Sequence, residues 1–366
     1  MRPHSITSTF WKSKRVLISG HTGFKGGWLS LWLQTLGADV CGISLPQPTE
    51  PSLFNEAQVF NGMRHEIVDI CDFEAVGFVF ESFKPEIVIH MAAQPLVRLS
   101  YREPIETYAT NVMGTVNILE ASRRAKSVRS IVNVTTDKCY ENQEWIWGYR
   151  ENEPMGGHDP YSSSKACSEL VSAAYRKSFL EIEGIGLATA RAGNVIGGGD
   201  WAEDRLIPDI LRALCDGKAV EVRNLGAVRP WQHVLEPISG YLQLAEELFR
   251  KERDVTGAWN FGPNDEGAKS VEWIVENLSA RWGTNTGLKI QPGNNPHEAH
   301  LLKLDISKAK QKLGWAPKWS LETALDKIVD WQKSWCAGED IRAKCLIQIS
   351  EYNMKGEQHE YEHSTT

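Results

Sequence analysis

Two residues able to do proton chemistry stand four apart in Asp159-Pro160-Tyr161-Ser162-Ser163-Ser164-Lys165. Pro160 suits the first turn of a helix, and the residues through Leu170 continue it. At i, i+4 the phenol of Tyr161 and the ammonium of Lys165 share one helical face. A cation beside a phenol stabilises the phenolate and lowers a pKa of about 10. The phenolate can then act as a base toward a sugar or alcohol hydroxyl. Any solvated helix can carry the same spacing, so the weight falls on a second signature upstream. That signature is Gly20-His21-Thr22-Gly23-Phe24-Lys25-Gly26-Gly27. An apolar, non-alternating strand (Lys14 to Gly20) leads into it and a helix (Trp28 to Leu36) follows. Strand, G-x-x-G-x-x-G and helix together bring backbone amides and a helix N-terminus to a pyrophosphate.

The elements that must position these groups follow in order. The second strand, Gly37 to Ser44, ends at Ser44, where NAD enzymes often carry an acid for the ribose hydroxyls. Ser44 therefore leaves NAD against NADP open. Glu66 to Ile70 reads as a third strand, with Asp69 a candidate for the adenine. Pro85 to Gln94 is a fourth, ending in the small residues Ala92 and Ala93 where a cofactor passes. A helix from Ile105 to Ala125 contains Asn111. A fifth strand, Ser130 to Thr136, delivers Thr135, Thr136, Asp137 and Lys138 at its carboxyl end, the side where open α/β sheets bind ligands. Leu187 to Val195 is a sixth. This βαβα alternation implies a doubly wound parallel sheet with right-handed crossovers. Beyond about residue 190 the texture changes to helices at Leu206–Asp216, Ile238–Lys251, Val271–Trp282, Ser307–Leu313 and Leu321–Trp335. The organisation expected is an α/β Rossmann domain over 12–190 with returning segments near 228–260. A smaller mixed substrate lobe takes 191–227 and 261–345, and a polar tail over 351–366 is expected to be disordered.

Composition narrows the function. The chain has 366 residues, 42% apolar and 24% charged, an ordinary globular balance. A net charge of −7 without a basic stripe argues against nucleic acid and anionic membranes as partners. No apolar run reaches the roughly 20 residues of a membrane span, and Met1 to Lys14 lacks a signal-peptide core. Seven scattered cysteines with no C-x-x-C pair point to a reducing, cytoplasmic setting and no thiolate zinc site. His297 and His300 lack a third ligand, so no metal is expected.

Longer motifs are more specific. They are Gly20 to Trp28, His90 to Arg98, Thr135 to Tyr140, Trp147 to Glu153, Arg191 to Trp201 and Arg229 to Val234. With these the chain, from about residue 11 to about 340, resembles the nucleoside-diphosphate-sugar 4,6-dehydratases of the extended short-chain dehydrogenase/reductase superfamily. The resemblance implies oxidation of a CDP-linked glucose at C4 with NAD, loss of water across C5–C6 and return of hydride to C6. The product would serve dideoxyhexose synthesis for lipopolysaccharide O-antigens. It implies Tyr161 as base, Lys165 as its cation, Thr136 at the C4 oxygen and Asp137 as the acid at C6. It implies a cofactor set of Gly20, His21, Thr22, Gly23, Phe24, Lys25, Gly26, Ser44, Asp69, Ile70, Ala92, Ala93, Asn111, Thr135, Tyr161 and Lys165. Gln94, Asn194, Arg205, Arg229 and His297 are implied for substrate. Two departures stand out. Lys138 occupies the position of the glutamate that takes the C5 proton in dTDP-glucose dehydratases, leaving Lys138 or Glu141 as candidates. His21 replaces a glycine, and a ring beside the pyrophosphate is expected to loosen NAD. The resemblance also implies that helices at about 105–125 and 161–180 pair into a four-helix bundle, giving a homodimer or a dimer of dimers. A 4-epimerase, or a dehydratase on another nucleotide sugar, shares Tyr161 and Lys165; only dehydration needs Asp137.

Overall fold

The computed structural model describes residue 6 and residues 8–222, 224–251, 254–283, 288–290 and 301–363. Seven strands form its central sheet: β1 (Arg15–Ser19), β2 (Asp39–Ser44), β3 (Arg64–Ile67), β4 (Ile87–His90), β5 (Ser130–Val134), β6 (Gly186–Ala192) and β7 (Gly257–Phe261). Their order is β7-β6-β5-β4-β1-β2-β3, and every pairing is parallel. Successive residues point to opposite faces, and both faces are covered. Val16, Ile18, Ile87, Ile89, Val132 and Val134 join one core, whereas Leu17, Val88 and Ile131 join the other. That explains the apolar strands without alternation.

The first face is covered by helix α1 (Phe24–Thr35), later joined by α6 (Leu235–Arg250) and α9 (Ile341–His363); the second by α2 (Phe73–Phe83), α3 (Gly114–Arg124) and α4 (Pro160–Tyr175). The run expected as one helix from Ile105 is continuous but carries a π-helical turn at Ala109–Met113 just before α3. The third strand ends at Ile67, three residues short of the expected Ile70, so Asp69 and Ile70 lie in the following turn. The order in which strands are added reverses between β1 and β4, the switch point at which such sheets bind ligands.

Beyond β6, α5 (Leu206–Cys215), α7 (Val271–Trp282) and α8 (Leu321–Cys336) pack around a separate core including Ile210, Val220, Val222, Ile274 and Leu325. Helix α6 (Leu235–Arg250) lies between them in sequence but returns to the main sheet, as β7 does. Of the tail expected to be disordered, residues 351–363 are helical and end α9 (Ile341–His363). Ile341, Cys345, Ile349 and Tyr352 are all buried, a helical stripe that crosses the supposed boundary and that the polar composition masked.

Candidate active site

The glycine turn is built for close backbone approach. Gly20 has φ +84°, and a Cβ there would come within 2.7 Å of the Ala92 amide nitrogen. A Cβ on Gly26 would lie 2.1 Å from the Gly20 carbonyl oxygen. Gly23 caps α1 without any side-chain acceptor, so the first amides of the helix carry no side-chain cap. The Thr22 hydroxyl donates to the Leu45 carbonyl (3.0 Å) and accepts from Ser44 Oγ (2.8 Å), fastening the turn to the end of β2. Asp69 accepts from the Cys71 amide (2.8 Å), and Asn117 donates to the Ile70 carbonyl (2.9 Å). A cradle that a Cβ would fill, beside a hydroxyl-lined strand end, suits a dinucleotide pyrophosphate.

The His21 ring does not crowd that cradle. It packs over Gly42, whose Cβ would meet the ring at 2.2 Å. It also lies against Phe54, and its Nε2 hydrogen-bonds His65 Nδ1 at 3.0 Å. Burial, then the neighbouring His65, push its pKa down to about 4. The expected loosening of the pyrophosphate site by this ring therefore has no geometric basis.

Beside the turn opens a cavity of about 1290 Å³ between the sheet and the second core. It brings together Phe24, Lys25, Thr135, Thr136, Asp137, Lys138 and Tyr161 from the first part of the chain with Asn194, Arg205 and Arg229 from the second. Asp159 caps α4 by accepting from the Ser162 amide (2.9 Å), which sets Tyr161 and Lys165 on the inward face. Thr136 lies two residues past β5 and caps a 3-10 turn, Asp137–Cys139; its hydroxyl donates to Asp137 Oδ1 (3.0 Å) and also hydrogen-bonds Tyr161. The Asp137 carboxylate sits against Gly193, where a Cβ would fall 2.8 Å from Oδ2.

The electrostatics correct one expectation. Burial pushes the Tyr161 phenol up to about 12, the Thr136 hydrogen bond and the Arg205 charge only partly opposing it. Lys165 turns its ammonium to the Val134 carbonyl (3.3 Å), and burial followed by the Lys25 charge push it down to about 8. Lys25 is itself pushed down to about 8 by burial and then by Arg205, with Asp137 and Asp200 acting the other way. Three cations share one small volume, which an anionic ligand would relieve.

Other expected site residues serve the frame. Gln94 and Asn111 do not line the cavity. The Gln94 side chain donates to the Leu96 carbonyl and Thr107 and accepts from the Leu96 amide. Asn111 bridges the Gln94 backbone and Ser164. Glu141 pairs with His158 at 3.3 Å and is not in the cavity wall, whereas Lys138 is. His297 lies outside the described residues. Sequence reasoning missed Asp200, which holds Arg205 at 2.9 Å, and Arg98–Asp204 (3.1 Å), which ties the two sides of the cavity rim. It also missed Glu169, although Glu169 continues the Tyr161, Lys165 spacing by one more helical turn. Among the described residues no cluster of ligands could hold a metal ion.

The model of the family described as GDP-mannose 4,6 dehydratase matches residues 17–328. The chain belongs to this dehydratase family. Within it, the chain is 55% identical over 352 residues to the CDP-glucose 4,6-dehydratase of Salmonella typhimurium, covering 95% of this chain and 98% of that one. A probable dTDP-glucose 4,6-dehydratase of Sinorhizobium fredii is 26% identical and covers 87% of this chain and 92% of its own. The fold is shared with the dTDP-glucose 4,6-dehydratase of Streptomyces venezuelae solved with NAD, at TM-score 0.77, 21% identity, and 90% and 99% coverage. It is shared equally with the UDP-glucose 4-epimerase of Thermotoga maritima solved with UDP-glucose, at TM-score 0.77, 24% identity, and 88% and 99% coverage. Fold thus does not separate dehydratases from epimerases.

Proposed function

We propose that this protein is an NAD-dependent CDP-glucose 4,6-dehydratase, forming CDP-4-keto-6-deoxy-D-glucose. The observation that carries dehydration is Asp137, an acid held by Thr136 in the same cavity wall as Tyr161. The cytidine nucleotide rests on the 55% identical relative. NAD, when bound, supplies the acceptor and donor of a hydride. Gly20, Thr22, Gly23, Gly26 and Ser44 would hold its phosphates and ribose, with Lys165 near the reacting end.

The side chains divide the remaining work. Tyr161, as a phenolate that burial disfavours and that a cationic charge beside the ring would favour, takes the proton from the C4 hydroxyl, and Thr136 shares the C4 oxygen. With C4 a ketone, the C5 proton is acidified and elimination becomes feasible. Lys138 takes that proton or stabilises the enolate, and Asp137 protonates the departing C6 hydroxyl. Arg205, fixed by Asp200, and Arg229 grip the substrate diphosphate with forked donors, and Asn194 contacts the sugar–phosphate portion.

We also infer a homodimer. Ile105 (85% exposed), Met113 (53%) and Leu170 (60%) are apolar side chains left exposed on the helices that would pair. The reducing cytoplasm suits cysteines that are all free among the described residues, and the deoxysugar product suits supply of dideoxyhexoses for O-antigen. The test of function is the mass of the product from purified protein, NAD and CDP-glucose, with dTDP-, UDP-glucose and GDP-mannose in parallel. Loss of one water from CDP-glucose is expected. Loss of water only from another nucleotide sugar would discard the cytidine assignment, and an unchanged mass with inverted C4 would indicate an epimerase.

A further inference from the structure

Behind the catalytic turn runs a chain of buried polar side chains: Thr135, Glu169, Arg191, Tyr140 and Asn260. Glu169 sits on α4 one turn beyond Lys165, and Arg191 on β6. The Glu169 carboxylate receives four donors. Thr135 Oγ1 (2.5 Å) and Arg191 Nε (2.9 Å) reach one oxygen; Thr189 Oγ1 (2.6 Å) and Arg191 Nη2 (2.8 Å) reach the other. The remaining Arg191 nitrogen donates to Tyr140 Oη at 2.7 Å, and Tyr140 in turn donates to Asn260 Oδ1 at 2.8 Å. Burial alone would raise the Glu169 pKa, but Arg191 and the hydroxyl donors hold it below the usual carboxylate range. Glu169, Arg191 and Asn260 do not line the cavity.

The topology of these bonds is what matters. Thr135 immediately precedes Thr136-Asp137-Lys138, and Tyr140 ends the same turn. One ion pair therefore grips both ends of the segment carrying the acid and the lysine. A buried ion pair is a poor source of stability compared with apolar residues of the same shape, but a bidentate Arg–carboxylate pair fixes direction as well as distance. Misplacement by about 1 Å can cost roughly a hundredfold in rate.

We propose that Glu169 and Arg191 are positioning residues for the elimination step, a brace that holds Asp137 and Lys138 in register with C5 and C6. This rests on the dehydratase reading. Two variants loosen it: Tyr140→Phe, which removes the hydrogen bond from the pair to the end of the turn and keeps only the guanidinium–ring contact at 4.8 Å, and Glu169→Gln/Arg191→Met, which removes both charges together and guards against a misfolded single variant. Hydrogen exchange at the 136–140 amides should be roughly tenfold faster in each, with the sheet amides unchanged. With CDP-glucose and NAD, kcat should fall about 10- to 100-fold while KM stays within about threefold. Reduced nicotinamide absorbance should build up transiently, because C4 oxidation now outruns elimination. Unchanged exchange at 136–140 overturns the brace. So does an unaltered kcat with a lowered melting temperature, or a fall in kcat without the reduced-cofactor transient. If the wild-type protein itself yields no dehydrated product, the functional reading fails, while the exchange measurement, which needs no substrate, still decides the brace.

Discussion

Asp137 and Lys138 are adjacent in sequence and line one cavity wall, yet they are assigned opposite proton transfers. Asp137→Asn should lower dehydration by about 10²- to 10⁴-fold, the range of a lost general acid, while hydride still leaves C4 and reduced cofactor accumulates. Lys138→Ala should behave likewise; if it eliminates water at the wild-type rate in rapid-quench analysis, both lysine roles are wrong. The charge cluster makes a pH prediction. Lys25 and Lys165 lose their charges as pH rises through about 8, and an anionic pyrophosphate raises their pKa values by stabilising the ammonium forms. NAD binding above pH 8 is therefore linked to proton uptake, and its affinity should fall up to roughly tenfold per pH unit for each lysine engaged. A calorimetric Kd independent of pH from about 7 to 9.5 would contradict that linkage. The tyrosine, the lysine and the glycine turn were legible in the sequence because each is a local pattern. Asp200 and Glu169 were not, because the partners that give them meaning, Arg205 and Arg191, are selected by tertiary folding.

At the scale of elements, the glycine turn, β2 and β3 meet in one packing problem, the His21 ring over Gly42 and beside His65. Gly42→Ala should destabilise the protein by about 1–3 kcal/mol through overpacking. The penalty should shrink in a His21→Gly background, as a double-mutant cycle by denaturant unfolding would reveal. A buried carboxylate helps to dock helix α9: Glu236 accepts from the Lys318 amide (3.0 Å), the Trp319 amide (2.7 Å) and Tyr352 Oη (2.6 Å). Tyr352→Phe leaves that carboxylate one donor short and should lower stability by about 1–3 kcal/mol, with Tm as the readout. The parallel sheet could be anticipated because its strands are apolar on both faces. The extent of α9 could not, because its apolar stripe is sparse and its polar remainder looks like a tail.

Over the whole molecule, buried titratable groups set the acid limit. Burial pushes His21 down to about 4, and His90 and His233 to about 3, with neighbouring charges assisting. Their stability contribution is complete above the unfolded value of about 6.5 and is lost as pH falls toward the folded values. Glu236 acts in the opposite sense. Burial raises it to about 7, so the folded state gains stability as pH falls from about 7 to the unfolded value of about 4.5. Between about pH 6.5 and 4.5, unfolding takes up at most roughly three protons less one, so stability should fall by up to about 2.7 kcal/mol per pH unit. A flat Tm across that window would contradict the buried neutral histidines.

The central claim is that one cavity oxidises C4, expels water across C5–C6 and returns the same hydride to C6. The most direct test supplies CDP-glucose deuterated at C4, with unlabelled NAD and protein, and locates the label by mass spectrometry and NMR. The account predicts a 4-keto-6-deoxy product one water lighter that retains the deuterium in its new C6 methyl group. Deuterium restored to C4 in an inverted sugar of unchanged mass would contradict it.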